Sequence, residues 1–140
     1  MSADFPFLSS TAIIDVENLS PFREYAWDFE KDCFLYDGDG NHILLEGNEA
    51  LKVWIYKALR TERFSYLAYS WRYGIELHKF IGKIMGVKER HSELKRTIIE
   101  TLMVNPFIRS IDKIEMTETK HAKDLQIDIT LTTVYGELEI

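Results

Sequence analysis

The stretch LQIDITLTTVYGELEI, residues 125–140, alternates apolar and polar residues almost without a break. Side chains on a strand point to opposite faces in turn. Leu125, Ile127, Ile129 and Leu131 therefore share one face, and Gln126, Asp128, Thr130 and Thr132 the other. One face is buried and one is wet, as in an antiparallel sheet covered on one side. Pairing through all 16 residues would far exceed the usual strand length of about 5–6. Either Gly136 bends the run, or its end reaches past its own domain.

The rest of the chain supplies what such a sheet needs. FIRSIDKIEMTE alternates imperfectly and reads as the partner strand, with Lys120–Asp124 as a polar turn. Leu51, Trp54, Ile55, Ala58 and Leu59 recur at helical spacing, predicting a helix from about Glu49 to Thr61, with Asn48 as its N-cap. A second helix is predicted in KERHSELKRTIIETLMV, where Leu94, Ile98 and Leu102 are spaced by four. Asn105–Pro106 ends it, because proline disfavours helical geometry in the residue before it.

Shorter strands are read at AWDF, at Phe34–Tyr36 and in HILLE. The aromatic run FSYLAYSWRYG predicts a strand ending near Gly74 with its rings in the core, and IELHKFIGKIMG a short helix. The fold class is α+β: a largely antiparallel sheet with two principal helices packed on it. An extended N-terminal arm, residues 1–25, precedes a domain at residues 26–140.

Charge is uneven. Residues 1–50 carry two Lys or Arg against eleven Asp or Glu, residues 51–109 twelve against five, and residues 110–140 three against seven. A basic middle admits a nucleic-acid face, but outward helix faces explain it as well. A protein neighbour uses such asymmetry more naturally, since the acidic ends would compete with phosphate. No run of eighteen apolar residues encodes a membrane span. MSADFPFLSS lacks the basic start of a secretory signal, and the single cysteine, Cys33, suits a reducing cytoplasm.

Candidate chemistry is thin. Asp37-Gly38-Asp39-Gly40-Asn41 begins like a calcium loop, but His42 and Asn48 stand where that loop needs its glycine and its bidentate glutamate. Asp-Gly pairs also supply hairpin turns, and that reading is preferred. His42, His78, His91 and His121 lack zinc-site spacing, and no base is evident for Cys33. Glu62 with Glu76, or Asp28 with Glu30, could be cast as glycosidase carboxylates, but such pairs arise freely in an acidic chain. No cofactor and no metal is expected.

The stretch YAWDFEKDCFLYDGDGNHILLEGNEALKVWIYKALRTERFSYLAYSWRYG resembles the XkdS-like proteins of contractile phage tails and phage-tail-like bacteriocins. More broadly it is similar to the T-even-type baseplate wedge family, also called tail sheath initiators. The family's Thr-x-x-Arg-like piece and aromatic–Gly pair correspond to Thr61, Arg63, Tyr73 and Gly74. Its Glu-Pro-Arg signature after the second helix is Asn105-Pro106-Phe107 here, so the proline matches while the acid and the base do not. Arg109 is a candidate substitute for the base.

The resemblance implies a structural protein, not an enzyme. Its subunits would ring the tail tube at the baseplate and offer β-strands to the first layer of sheath. Expected partners are the tail sheath protein, other wedge proteins and the tube, with no membrane or nucleic acid. The particle is a virion tail or a bacteriocin, assembled in the host cytoplasm. The expected sheath contact is Leu125, Ile127, Val134, Tyr135, Leu138 and Ile140, and Phe5, Phe7 and Leu8 would meet wedge neighbours. Two other function classes stay open, a peptidoglycan hydrolase and a nucleic-acid-binding module.

Overall fold

The computed structural model describes residues 19–80, 82–119 and 125–140. Arg23–Tyr25 (β1) pairs antiparallel with Leu44–Glu46 (β4), and Trp27–Asp28 (β2) with Cys33–Phe34 (β3). Two helices follow, Asn48–Arg60 (α1) and Val87–Leu102 (α2). Ile108–Glu118 (β5), Leu125–Thr133 (β6) and Gly136–Glu139 (β7) form an antiparallel sheet in the order β5-β6-β7. The fold is thus α+β, its strands divided between this sheet and two small ribbons. β1 lies at the end of the stretch read as the arm. Of that arm's residues, Phe5, Phe7 and Leu8 lie outside the described ones, as does the Lys120–Asp124 turn.

Both helices bury the stripe that their spacing predicts. α1 buries Ala50, Leu51, Val53, Ile55 and Ala58, while Trp54 and Leu59 are half-buried against the core. α2 buries Ile98 and Leu102, with Leu94 at the margin. Its buried Thr97 and Thr101 hydroxyls donate to the carbonyls of Glu93 and Thr97, so neither is left unpaired. Arg96 bridges Glu93 and Glu100 on the outer face. The sheet contributes Ile108, Ile129, Leu131 and Leu138 to the same core.

Three expectations are corrected. The N-cap of α1 is Gly47 at φ 67°, because Asn48 already lies inside the helix. Its carboxamide reaches the terminal hairpin instead: Oδ1 accepts from the Thr133 hydroxyl at 2.6 Å and Nδ2 donates to the Glu137 carbonyl at 3.4 Å. Among the described residues of IELHKFIGKIMG, one 3-10 turn forms, His78–Phe80.

The aromatic run is a loop, not a strand, and most of its rings are on the surface rather than in the core: Phe64, Tyr66, Tyr69 and Trp71 are all exposed. Aromatic β-propensity counts only where a neighbouring strand is available to pair with. The terminal run bends, the first of its two alternatives. It reverses through Val134–Tyr135, with Gly136 at φ 113°, and β7 lies back on β6.

The Asp-Gly segment is a hairpin bend. Tyr36 and His42 bridge across it, the Asp37 carboxylate accepts the N–H groups of Asp39 and Asn41 at 2.9 Å each, and Gly40 takes φ 83°. The Asn41 N–H foremost holds the Asp37 carboxyl below its usual range, against a smaller opposing effect of burial.

Candidate functional site

Backbone groups of the terminal sheet define the first candidate surface. Ile129 and Ile140 exchange both main-chain bonds, at 2.8 and 2.9 Å. Antiparallel ladders alternate, so Leu131/Leu138 and Thr133/Gly136 face each other in the same way. Glu137 and Glu139 must then turn their N–H and C=O groups away from β6. Asn48 caps the Glu137 carbonyl. Among the described residues nothing caps Glu139. Past the end of β7, the alternation also turns the backbone of Leu125 and Ile127 toward this side, where no described strand continues. Among the described residues the edge is open at Glu139 on β7 and, one strand inward beyond the end of β7, at Ile127 and Leu125 on β6.

The six residues expected at the sheath contact fall into three groups. Leu138 is buried in the core, 6% exposed, and Val134 is half-buried with its N–H on the Phe107 carbonyl. Tyr135 is exposed but tied to its own chain: its hydroxyl accepts the Phe22 N–H at 2.9 Å and its ring stacks on Phe107 at 6.0 Å. Leu125 and Ile127 are half-buried toward the hairpin tip, and Ile140 is exposed. Burial along the apolar face thus fades from Leu131 to Leu125.

The motif positions build a staple. Thr61 and Arg63 bracket Ile75 through Ile75 N–H to Thr61 O and Arg63 N–H to Ile75 O, both 2.9 Å. Gly74 sits at φ 99°, and a Cβ there would lie 2.6 Å from the Thr61 carbonyl oxygen, so only glycine fits. Arg63 Nε donates to the Trp71 carbonyl at 2.6 Å, its guanidinium reaches Glu76 at 3.3 Å, and it lies over the Phe64 ring. Residues 62–75 are closed into a loop at its neck. Tyr73 packs edge-on to Trp54, and burial raises its hydroxyl pKa.

The two motif segments meet in space. Tyr73, Asn105 and Pro106 line one groove of about 320 Å³, together with Phe22, Trp54, Ser70, Arg72, Val104 and Phe107. Asn105 is buried, and its Oδ1 accepts the Phe107 N–H at 3.0 Å, which shapes the turn from α2 into β5. The cation beside this turn is Arg72 from the loop, while Arg109 is exposed on β5.

The carboxylates considered for hydrolysis are engaged structurally. Glu62 accepts the His78 ring nitrogen and the Leu77 and His78 N–H groups, and Glu76 meets Arg63 and Lys79. Burial pushes the Glu62 carboxyl up, but these bonds outweigh it and hold it below its usual range. Asp28 is held low as well, foremost by the Lys31 N–H. A general acid needs the opposite shift. Part of the basic middle is also paired, through Lys57 to Glu24, Arg60 to Asp32 and Arg96 to two glutamates. Among the described residues no helix is long and apolar enough to cross a membrane.

Among the described residues, an open sheet edge and a braced aromatic loop are surfaces suited to contact with other protein chains. Comparison gives the particular family. Residues 23–136 match the model of the contractile injection system sheath initiator, and the chain belongs to that family of structural tail components. It is also 27% identical to the phage-like element PBSX protein XkdS of Bacillus subtilis (strain 168) over 128 residues, 91% of this chain and 85% of that one.

Proposed function

We propose that this chain joins the baseplate to the sheath of a contractile tail and templates sheath polymerisation by strand sharing. The observation that carries this reading is a stepped edge, open among the described residues at Glu139 on β7 and, beyond the end of β7, at Leu125 and Ile127 on β6. An incoming strand gains main-chain hydrogen bonds there and finds Ile140, Leu125 and Ile127 as side-chain contacts. Leu138 supports the edge from the core, and Val134 and Tyr135 form the turn that sets β7 against β6. Subunits stand in a ring around the tube beside other wedge proteins, with Phe5, Phe7 and Leu8 reaching a wedge neighbour. The particle, phage tail or bacteriocin, assembles in the bacterial cytoplasm.

Glu139→Pro tests the edge directly. The Glu139 N–H faces outward, so proline removes a donor from the edge without cutting the β6–β7 ladder. Wild-type chain added to purified sheath protein shortens the lag before sheath tubes form. Folded Glu139→Pro protein leaves the lag unchanged. Equal seeding by both proteins would refute strand sharing at this edge.

A further inference from the structure

We infer that the groove between the aromatic loop and the α2–β5 turn is a docking site for this chain's own N-terminal segment Asp4-Phe5-Pro6-Phe7-Leu8. This docking does not depend on the tail reading. The groove is walled by Phe22, Trp54, Tyr73 and Phe107, a lining that takes aromatic side chains. The Arg63 staple fixes its loop wall before any ligand arrives, which lowers the cost of ordering on binding. Arg72 stands at the groove, and among the described residues no carboxylate lies within ion-pair distance of its guanidinium.

The segment has the complementary chemistry. Residues 1–18 carry Asp4, Asp15 and Glu17 and no lysine or arginine, while Phe5 and Phe7 flank a proline that favours an extended backbone. Connectivity selects this occupant over a separate partner. Leu19 and Phe22 pack against the core, and Phe22 itself lines the groove, so the described chain begins three residues from a groove-lining side chain. A tether this short gives an effective concentration in the millimolar range, which a dilute partner does not match. Phe5 or Phe7 fills the aromatic slot, and Asp4 faces Arg72. In the free chain this contact shields part of the exposed aromatic surface and holds in place the residues proposed to reach a wedge neighbour.

Two measurements on the full chain test it. Val104, exposed at the groove, is replaced by p-benzoylphenylalanine, and the protein is irradiated when dilute. The expected product is a monomer-sized chain cross-linked between position 104 and residues 4–8. A cross-link found only in dimers, or none to residues 4–8, overturns the proposal. In parallel, hydrogen exchange is compared between wild type and a Phe5→Ser, Phe7→Ser, Leu8→Ser variant. Exchange near Arg72, Tyr73 and Asn105–Phe107 rises about tenfold, the scale of losing one buried aromatic contact, while α1 and β6 are unchanged. Unchanged exchange at the groove also overturns it, whatever the outcome of the sheath-seeding test.

Discussion

At the scale of single residues, the loop neck depends on one missing side chain. Gly74 combines a φ of 99° with a Thr61 oxygen 2.6 Å from where a Cβ would be. Relaxing the contact would pull apart the bonds that Thr61 and Arg63 make to Ile75. Gly74→Ala is expected to lower stability by about 2–3 kcal/mol or more in urea denaturation. Gly38→Ala, where an added Cβ meets nothing within 4 Å, is expected to stay within about 0.5 kcal/mol of wild type.

Glu62 offers a second test at the same scale. Its folded pKa is depressed below the ordinary 4.5, so its contribution is fully present above that value and is lost as pH falls through the folded pKa. The stability gap between wild type and Glu62→Gln should therefore be widest at neutral pH and close on acidification. Because the group is about a third exposed, solvent screening keeps the gap small. A gap that widens in acid would contradict the assignment.

At the scale of elements, β7 belongs to the core as much as to the edge. Leu138 is 6% exposed and lies opposite Leu131, which is fully buried. Leu138→Ala is expected to cost about 2–5 kcal/mol, measured by thermal or urea unfolding. Deleting Gly136–Ile140 is consequently a poor test of sheath binding, since it opens the core and bares β6 together.

The fold-back of β7 was legible in a signal that simple alternation hides. Apolar positions are odd-numbered from Leu125 to Leu131 and even-numbered at Val134, Leu138 and Ile140. That slip marks a reversal between them. α1, α2 and the β5–β6 pair were legible because burial of one face imposes a local period. The loop at 62–75 was not. Its conformation depends on Gly74 approaching Thr61, a contact between residues distant in the chain, whereas ring density suggested a strand. The groove combines Phe22, Trp54, Tyr73 and Phe107 from four separate segments, and no local pattern announces it.

At the scale of the molecule, a chain that presents an open strand must avoid pairing with its own copies before a partner arrives. Two carboxylates serve that end. Glu137 and Glu139 are exposed, two residues apart and on one face of β7. If two copies paired antiparallel through this edge, glutamates would fall opposite glutamates, and like charges directly opposed are destabilising. The acidic balance of residues 110–140 adds to the repulsion. A strand bearing lysine or arginine at the facing positions would gain from the same charges, so under the strand-sharing proposal the edge would favour such a partner over a copy of itself.

Glu137→Val with Glu139→Val removes the repulsion and leaves the Leu131–Leu138 pairing intact. The double variant is expected to keep the wild-type circular dichroism spectrum and to sediment as dimers or larger species where the wild type is monomeric. High salt should move the wild type toward the variant, because surface repulsion is screened within about 3 Å at 1 M. A double variant that stays monomeric at every salt concentration would show that the glutamates do not guard the edge.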